Sequence, residues 1–438
     1  MQFVILAGGK GTRLRSKLGE LPKPMAPIGG RPLLEHQIEL ARRYGFDEII
    51  LLVGHGREAI EAWAGDGSRF GVRIRAIGDG PPRGNAGAVM AALERLDSRF
   101  LVVYGDTMLN VDLSRFWSAH AKRGSAVSLL IHPNDHPWDS DLIETDRRDF
   151  ITAFRAAPGQ ASWDYRNQVN AGLYIVEREA LAGMPRCEGV LDFGTDLLPG
   201  LLARGFELFG YRSPEYIKDA GTPERLDAVN VDWESGRIAR GSFATPVPAI
   251  FLDRDGTINR DANYVRTPDA LELLTGVAGA IRGWNSAGWR VVVVSNQPVI
   301  ARGDCTEEGL LAIHNRMETQ LGLAGAYVDG IYYCPHHPDG GFTGEKPELK
   351  TRCNCRKPAT ALILQASRDL NIDLNRSWMV GDSTTDIRTA RNAGIRSVLV
   401  RTGKGGLDGL YPDLPDLIAR DLSEAMHMTI ALHQGAGR

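Results

Sequence analysis

The chain has 438 residues, a formal net charge of −3 at pH 7, 43% hydrophobic residues and five cysteines. That length allows two or three domains with cores of their own, and the evenly mixed charge excludes a broad electrostatic footprint for nucleic acid. The cysteines are too few and too uneven for a disulfide scaffold, since Cys187 and Cys305 stand alone and three cluster from Cys334 to Cys355. Apolar runs such as Val291 to Val294 are far too short to span a bilayer. The N-terminus runs straight into an apolar strand, which argues against a signal peptide. The expectation is therefore a soluble, cytoplasmic enzyme with small-molecule partners, no nucleic acid and no membrane; the oligomeric state is not legible.

Strand-like runs alternate with amphipathic stretches along the whole chain. Phe3–Leu6, Glu48–Val53, Arg99–Asp106, Arg290–Asn296 and Trp378–Asp382 read as strands. Leu33–Tyr44, Gly276–Ala287 and Pro358–Leu370 read as helices. The alternation predicts α/β architecture with two doubly wound, parallel-sheet domains. The pattern lapses in "GRIARGSFATPVP", where Pro246 and Pro248 favour an extended segment. This predicts domains at 1–235 and 249–438 joined by a linker at 236–248.

The first strand opens into "LAGGKGTRL", with Gly8, Gly9 and Gly11 ahead of Arg13. The spacing of a P-loop is absent. The glycines nevertheless let backbone N–H groups approach a phosphate, and Arg13 can neutralise its charge. Lys23 stands between Pro22 and Pro24 in a stiff segment, so it can meet a phosphate with little loss of freedom. "RGNAGAV" is a small-residue turn containing Gly84 and Asn85. "RFLVVYGD" ends in Asp106, and "YIKDAGTPERL" carries Asp219. Two carboxylates converging near phosphates would hold Mg²⁺. Each piece alone also fits a turn or a cap.

In this order the pieces resemble the sugar nucleotidyltransferases, most closely the guanylyltransferases that act on mannose 1-phosphate and heptose 1-phosphate. The resemblance covers about residues 1–235 and implies a Rossmann-like fold. It implies a nucleoside triphosphate, GTP as co-substrate, over Leu6, Gly8, Gly9, Gly11 and Thr12, with Gly84 and Asn85 alongside. It places Arg13 in catalysis, Arg13 and Lys23 on phosphates, Asp106 and Asp219 on Mg²⁺, and Asn170 and Gly172 of "NAGLY" on the sugar. One departure stands out. Where members carry Glu-Lys-Pro, this chain has Ala156-Ala157-Pro158. Arg155, Arg166 and Lys218 are the candidate replacements for the absent lysine.

After the linker, "AIFLDRDGTIN" delivers Asp253 and Asp255 at the end of an apolar strand, on one side because side chains alternate. One carboxylate can attack phosphorus while the other serves the leaving oxygen, and a cation between them relieves their repulsion. "VVVVSNQ" ends with Ser295, Asn296 and Gln297, "CRKP" supplies Arg356 and Lys357, and "WMVGDSTTD" supplies Asp382 and Asp386. Cys334 and His336 of "CPHHP" and Cys353 and Cys355 of "CNC" make a Cys₃His set suited to structural Zn²⁺, with His337 as the alternative nitrogen.

The ordered set resembles the haloacid dehalogenase phosphatases. It implies Asp253 as nucleophile, Asp255 as general acid/base, and Mg²⁺ on Asp253, Asp382 and the Asp255 carbonyl. From about Ala249 to Gly403 the chain closely resembles the heptose 1,7-bisphosphate 7-phosphatases. That likeness implies a substrate pocket at Asp261–Tyr264, Ser295–Pro298, Arg356 and Lys357. The zinc-bearing histidinol-phosphate phosphatases are the second resemblance. Removal of the 7-phosphate leaves the sugar 1-phosphate that relatives of the first half accept, so the expectation is one bifunctional enzyme. The competing expectation is a phosphatase whose first half only binds nucleotide or sugar.

Overall fold

Two separate sheets carry the chain, each built from the strand-forming runs and flanked by helices. The computed structural model describes residues 1–9, 11–78, 80, 83–158, 163–184 and 189–435, so Cys187 lies outside the described residues. Two compact units form. The first takes Met1–His132, Asp141–Ala156 and Gln168–Ala244; the second takes Pro133–Ser140, Ala157–Asn167 and Thr245–Arg438.

In the first unit, β1 (Gln2–Ala7), β2 (Glu48–Val53), β3 (Arg73–Gly78) and β4 (Arg99–Tyr104) run parallel in the order β3-β2-β1-β4. Helix α1 (Leu33–Arg43) follows β1 and buries Leu34, Ile38 and Ala41 against the same core. β5 (Thr107–Asn110) leaves this sheet and pairs elsewhere. The expected all-parallel arrangement holds only for part of the main sheet. β6 (Val127–His132), β7 (Leu142–Thr145), β8 (Ile151–Arg155) and β9 (Val169–Glu177) add an antiparallel region, with β9 set beside β4. Parallel neighbours need a long crossover, and the β7–β8 connection is too short for one. β10 (Leu208–Arg212) then pairs parallel with β6, while β11 (Tyr216–Asp219) pairs antiparallel with β5. α2 (Pro223–Glu234) begins immediately after, capped by the Thr222 side chain on the Arg225 N–H at 3.3 Å.

In the second unit β12 (Ala249–Leu252), β13 (Arg290–Asn296), β14 (Gly330–Cys334), β15 (Trp378–Gly381), β16 (Arg396–Val400) and β17 (Leu417–Ala419) form a wholly parallel sheet. Its order is β14-β13-β12-β15-β16-β17. Val291 to Val294 are buried throughout, as a central parallel strand covered on both faces requires. Helices α3 (Val277–Ser286), α4 (Glu307–Leu323), α5 (Ala361–Asp369) and α6 (Thr384–Ala393) connect or flank these strands. The predicted helix at Pro358–Leu370 thus begins only at Ala361. The Thr306 side chain caps α4 through the Gly309 N–H at 3.0 Å, and Glu307 and Glu308 complement its dipole.

The expected extended linker is shorter than its sequence suggested. Gly236 takes left-handed geometry and starts a helical turn, Arg237–Arg240, whose Ile238 is buried in the first unit. Asn110 Nδ2 donates to the Ile238 carbonyl at 2.9 Å. The apolar isoleucine, followed by no proline until Pro246, lets this stretch fold back instead of extending.

Two excursions of the first half belong to the second unit. Asn167 Oδ1 accepts the Asn134 N–H at 3.1 Å and its amide donates back to the Asn134 carbonyl at 2.7 Å. The Tyr165 N–H donates to Thr319 Oγ1 on α4 at 2.8 Å, and Arg316 pairs with Asp164 at 3.2 Å. A Cβ on Gly322 would come within 2.6 Å of Pro137, so the close approach of this segment to α4 needs glycine there. Tyr165 is 2% exposed and its hydroxyl finds no hydrogen-bond partner among the described residues. Tyr165→Ala should therefore cost about 3–5 kcal/mol through the cavity it leaves, whereas Tyr165→Phe should cost almost nothing. Urea unfolding of the full chain followed by circular dichroism checks both.

Candidate active sites

In the first unit β5–β11 pairing sets Asp219 opposite Thr107, next to Asp106. The Ala220 N–H donates to the Asp106 carbonyl at 2.7 Å, which fixes the approach of the two carboxylates. Lys23 Nζ pairs with Asp106 Oδ2 at 2.7 Å. Arg225, a residue sequence reasoning did not single out, holds Asp219 through both oxygens at 2.9 and 3.1 Å. Asp106, Asp219 and Lys23 all converge on Gly221. The opening loop leaves Gly9 with open space around it, while Gly11 is left-handed and starts the short turn carrying exposed Thr12 and Arg13. The Leu6 carbonyl accepts the Gly105 N–H at 3.0 Å, tying the loop's strand to the end of β4.

Gly84 and Asn85 serve the scaffold. Asn85 Oδ1 accepts the Phe193 N–H at 2.8 Å, and its amide donates to Asp192 and to Tyr104 Oη. Gly84 packs against the Leu191 carbonyl. Asn170 Oδ1 accepts the Gly172 N–H at 3.2 Å, where the pairing of β9 with β6 shifts register, and Gly172 lies against the Tyr104 ring. Among the candidate replacements for the absent lysine, Arg155 pairs with Glu144 at 2.9 Å, Lys218 lies 3.8 Å from Asp232, and Arg166 belongs to the second unit.

In the second unit the ends of β12, β13 and β15 converge. The Asp253 N–H donates to the Val380 carbonyl at 3.0 Å, which locks the nucleophile candidate beside Asp382. Lys357 Nζ lies 2.9 Å from Asp253 and 2.6 Å from Asp386, and is almost wholly buried. Burial opposes its charge, but the two carboxylates outweigh that and raise its pKa above the ordinary value. Asp386 is the fully buried end of a capping box, accepting the Ser383 N–H and hydroxyl at 3.2 and 2.6 Å. Oxygens of Asp253, Asp382 and Asp386 all lie within 4.8 Å of one another, a set able to hold a divalent cation. Gly256 and Gly403, both left-handed, pack where a Cβ would strike the Asp382 carboxylate. Burial, reinforced by the charge of Asp253, pushes Asp382 up to about 7. Burial likewise brings Asp253 up to about 6, although Lys357 pulls the other way.

The Asp255 carboxylate has partners of its own. Arg254 Nη2 reaches its two oxygens at 2.9 and 2.8 Å, Asn259 donates at 3.0 Å and Gln297 at 2.9 Å. Burial works to raise Asp255, yet the Arg254 charge and these donors hold it below its ordinary value. Two of the expected substrate-pocket residues also hydrogen-bond within the site. Asn296 accepts the Lys357 N–H at 2.9 Å and donates to its carbonyl at 3.2 Å. Gln297, 1% exposed, donates to Asp255 and to Ser295 Oγ. Asp261 accepts the Asn263 N–H at 3.0 Å and is exposed; Tyr264 is left-handed with Arg302 over its ring. Arg356 donates to the His336 carbonyl at 3.2 Å.

Cys334, His336, Cys353 and Cys355 converge as a four-donor set within 4.8 Å. Their sulfurs are 3.2–3.5 Å apart without a disulfide, and His336 Nδ1 lies 3.2 Å from Cys355. Such crowding of four thiol and imidazole donors fits a tetrahedral cation. His337 points elsewhere, with Nδ1 accepting the Asp339 N–H at 3.2 Å. Among the described residues no helix is long and apolar enough to cross a membrane.

Two families meet this geometry. The Nucleotidyl transferase family matches residues 2–236, and the HAD-hydrolase-like family matches residues 354–425. A D-glycero-beta-D-manno-heptose-1,7-bisphosphate 7-phosphatase of Yersinia pestis is 48% identical over 159 residues, 36% of this chain and 82% of that protein. A D-glycero-D-manno-heptose-1,7-bisphosphate 7-phosphatase of Thermosynechococcus vestitus is 42% identical over 188 residues, 41% of this chain and 94% of that protein. The crystal structure of a D,D-heptose 1,7-bisphosphate phosphatase from B. bronchiseptica, complexed with magnesium and phosphate, is 35% identical. The likeness covers 42% of this chain and 99% of that one, with a TM-score of 0.38. The chain belongs to the Nucleotidyl transferase family through its first part and, through its second, to the family of these heptose bisphosphate phosphatases.

The cation-free carboxylates give a signed pH dependence. With Asp382 at about 7 when folded against 3.8 unfolded, the folded state binds the proton more tightly. Its contribution to stability therefore falls as pH rises from about 4 to about 7 and stays lowered above. A divalent cation removes that penalty, so saturating Mg²⁺ should raise the melting temperature more at pH 8 than at pH 5. Asp382→Asn should flatten the pH dependence and remove most of the Mg²⁺ response in the same melting experiment.

Proposed function

We propose that residues 249–438 remove the 7-phosphate of D-glycero-D-manno-heptose 1,7-bisphosphate and that residues 1–235 attach a nucleotidyl group from GTP to the resulting heptose 1-phosphate. The observation that carries the first step is the buried Lys357 bridging Asp253 and Asp386 at the strand ends, with Asp382 alongside. Asp253, Asp382 and Asp386, with the Asp255 carbonyl, would hold Mg²⁺, which when bound supplies positive charge to the phosphoryl oxygens. Lys357 supplies the second cation. Asp253 attacks phosphorus, the bond from phosphorus to the sugar oxygen breaks, and that oxygen takes a proton from Asp255. Water then attacks the aspartyl-phosphate at phosphorus and releases phosphate, while Asp255 takes the water's proton. That proton serves the leaving oxygen of the next turnover. The ionised form that Arg254 maintains is the form the second half requires.

In the first part, Asp106 and Asp219 would hold Mg²⁺, and Lys23 and Arg13 meet the triphosphate over the Gly8–Gly11 loop. The sugar phosphate oxygen attacks the α-phosphorus in line and pyrophosphate leaves, so positioning and charge neutralisation do the work. Zn²⁺ on Cys334, His336, Cys353 and Cys355 would be structural, since four protein ligands leave no position for water. A reducing cytoplasm suits these thiols. The second reading, a first domain that binds without transferring, draws support from the pairing of Arg155 with Glu144 at 2.9 Å.

Incubating the full chain with the bisphosphate and each nucleoside triphosphate should give phosphate, pyrophosphate and a sugar nucleotide, with GTP preferred. Asp253→Asn should lower phosphate release by on the order of 10³-fold or more while leaving pyrophosphate formation from supplied heptose 1-phosphate intact. Arg13→Ala should do the reverse. Nucleotide binding without pyrophosphate, across several sugar 1-phosphates, would overturn the transferase assignment.

A further inference from the structure

The residue between the two site aspartates is a fully buried guanidinium. Arg254 has no exposed side-chain surface; it lies just past the end of β12, in the bend between Asp253 and Asp255, where its carbonyl accepts the Ile258 N–H at 2.8 Å. A buried charge is costly unless it is paired and hydrogen-bonded. The Arg254 charge is met by Asp255: Nε lies 3.2 Å from Oδ1 and Nη2 lies 2.9 and 2.8 Å from the two oxygens. On its far side Nη1 lies 3.4 Å from Nε2 of His314, an imidazole on α4 that burial keeps neutral. Asn259 adds a donor to Oδ1 and Gln297 one to Oδ2. Gln297 is itself fixed by Ser295 Oγ at 2.8 Å.

We propose that Arg254 is the positioning residue of the phosphatase site, a clamp anchored on His314 that fixes the rotamer of Asp255 so that one carboxylate orientation serves every turnover. The proposal rests on the reading of Asp255 as general acid/base. Arg254 never reaches the substrate, since its side chain is closed off from solvent. Lysine at 254 would keep the charge but could not span both oxygens. Its loss should therefore appear in kcat and act only through Asp255.

The test is a double-mutant cycle on the full chain with heptose 1,7-bisphosphate. Arg254→Lys and Arg254→Met should each lower kcat by about 10²-fold with KM within about twofold. In an Asp255→Asn background the same changes should add less than about twofold, because the group they act through is gone. A raised KM, unimpaired kcat, or losses that multiply with Asp255→Asn would overturn the clamp. If Asp255→Asn alone leaves turnover intact, the acid/base reading falls and the clamp falls with it. If both Arg254 variants fail to fold, as judged by melting and metal content, Gln297→Leu removes the donor to Oδ2. It must then show the same loss of kcat and the same non-additivity, and a multiplying loss overturns the proposal.

Discussion

Everything in the second site depends on one buried ammonium. Lys357 sits between Asp253 and Asp386 in a region that would otherwise reject all three charges. Its position is over-determined: Asn296 grips its backbone on both sides, and the Ser383 capping box fixes the carboxylate opposite. Once Lys357 is held, Asp253 faces one cation, while Asp382, which accepts the Lys404 N–H at 2.7 Å, still feels the charge of Asp253 and Asp386. That residual negative charge is what a divalent ion would neutralise. The same cation-and-carboxylate grouping is what a phosphoryl group in transfer requires, so the scaffold's electrostatic problem and the chemistry have one solution.

The first site uses the same logic with softer components. Asp106 and Asp219 are brought together by a two-strand ribbon, and each is balanced by a cation, Lys23 and Arg225. These pairs are partly exposed, so they can exchange partners with little desolvation. Among the described residues a Cβ on Gly9 would meet nothing within 4 Å, and Arg13 is exposed. The charges of the second site, by contrast, are more deeply buried. That difference matches a small phosphoryl group on one side and a nucleoside triphosphate with a sugar phosphate on the other.

Much of this was legible in the sequence because strand-end carboxylates and short-spaced thiols announce themselves. Asp253 lies with Asp382 and Lys357 at the strand ends, and the closely spaced Cys₃His set comes together separately. The hidden part concerns direction. A sequence lists Asn296, Gln297 and Asn85 as polar groups near a site, but it cannot say that backbone donors and neighbouring carboxylates claim them first. Arg254 could have been found, since a guanidinium set directly between two site aspartates has a carboxylate at hand to pair its charge. The folding of Pro133–Ser140 and Ala157–Asn167 with the second unit had no local signal. It depends on Tyr165 meeting Thr319 and Pro137 meeting Gly322, contacts far apart in the chain.

In the proposed reaction phosphorus passes through a covalent bond to Asp253. Rapid quenching of the full chain during turnover of the bisphosphate, followed by borohydride reduction and peptide mass spectrometry, reads this directly. An aspartyl-phosphate at Asp253 yields a homoserine at position 253 that is absent without substrate and absent in Asp253→Asn. Phosphate release at the normal rate with residue 253 unmodified, or with the reduced residue elsewhere, would contradict it.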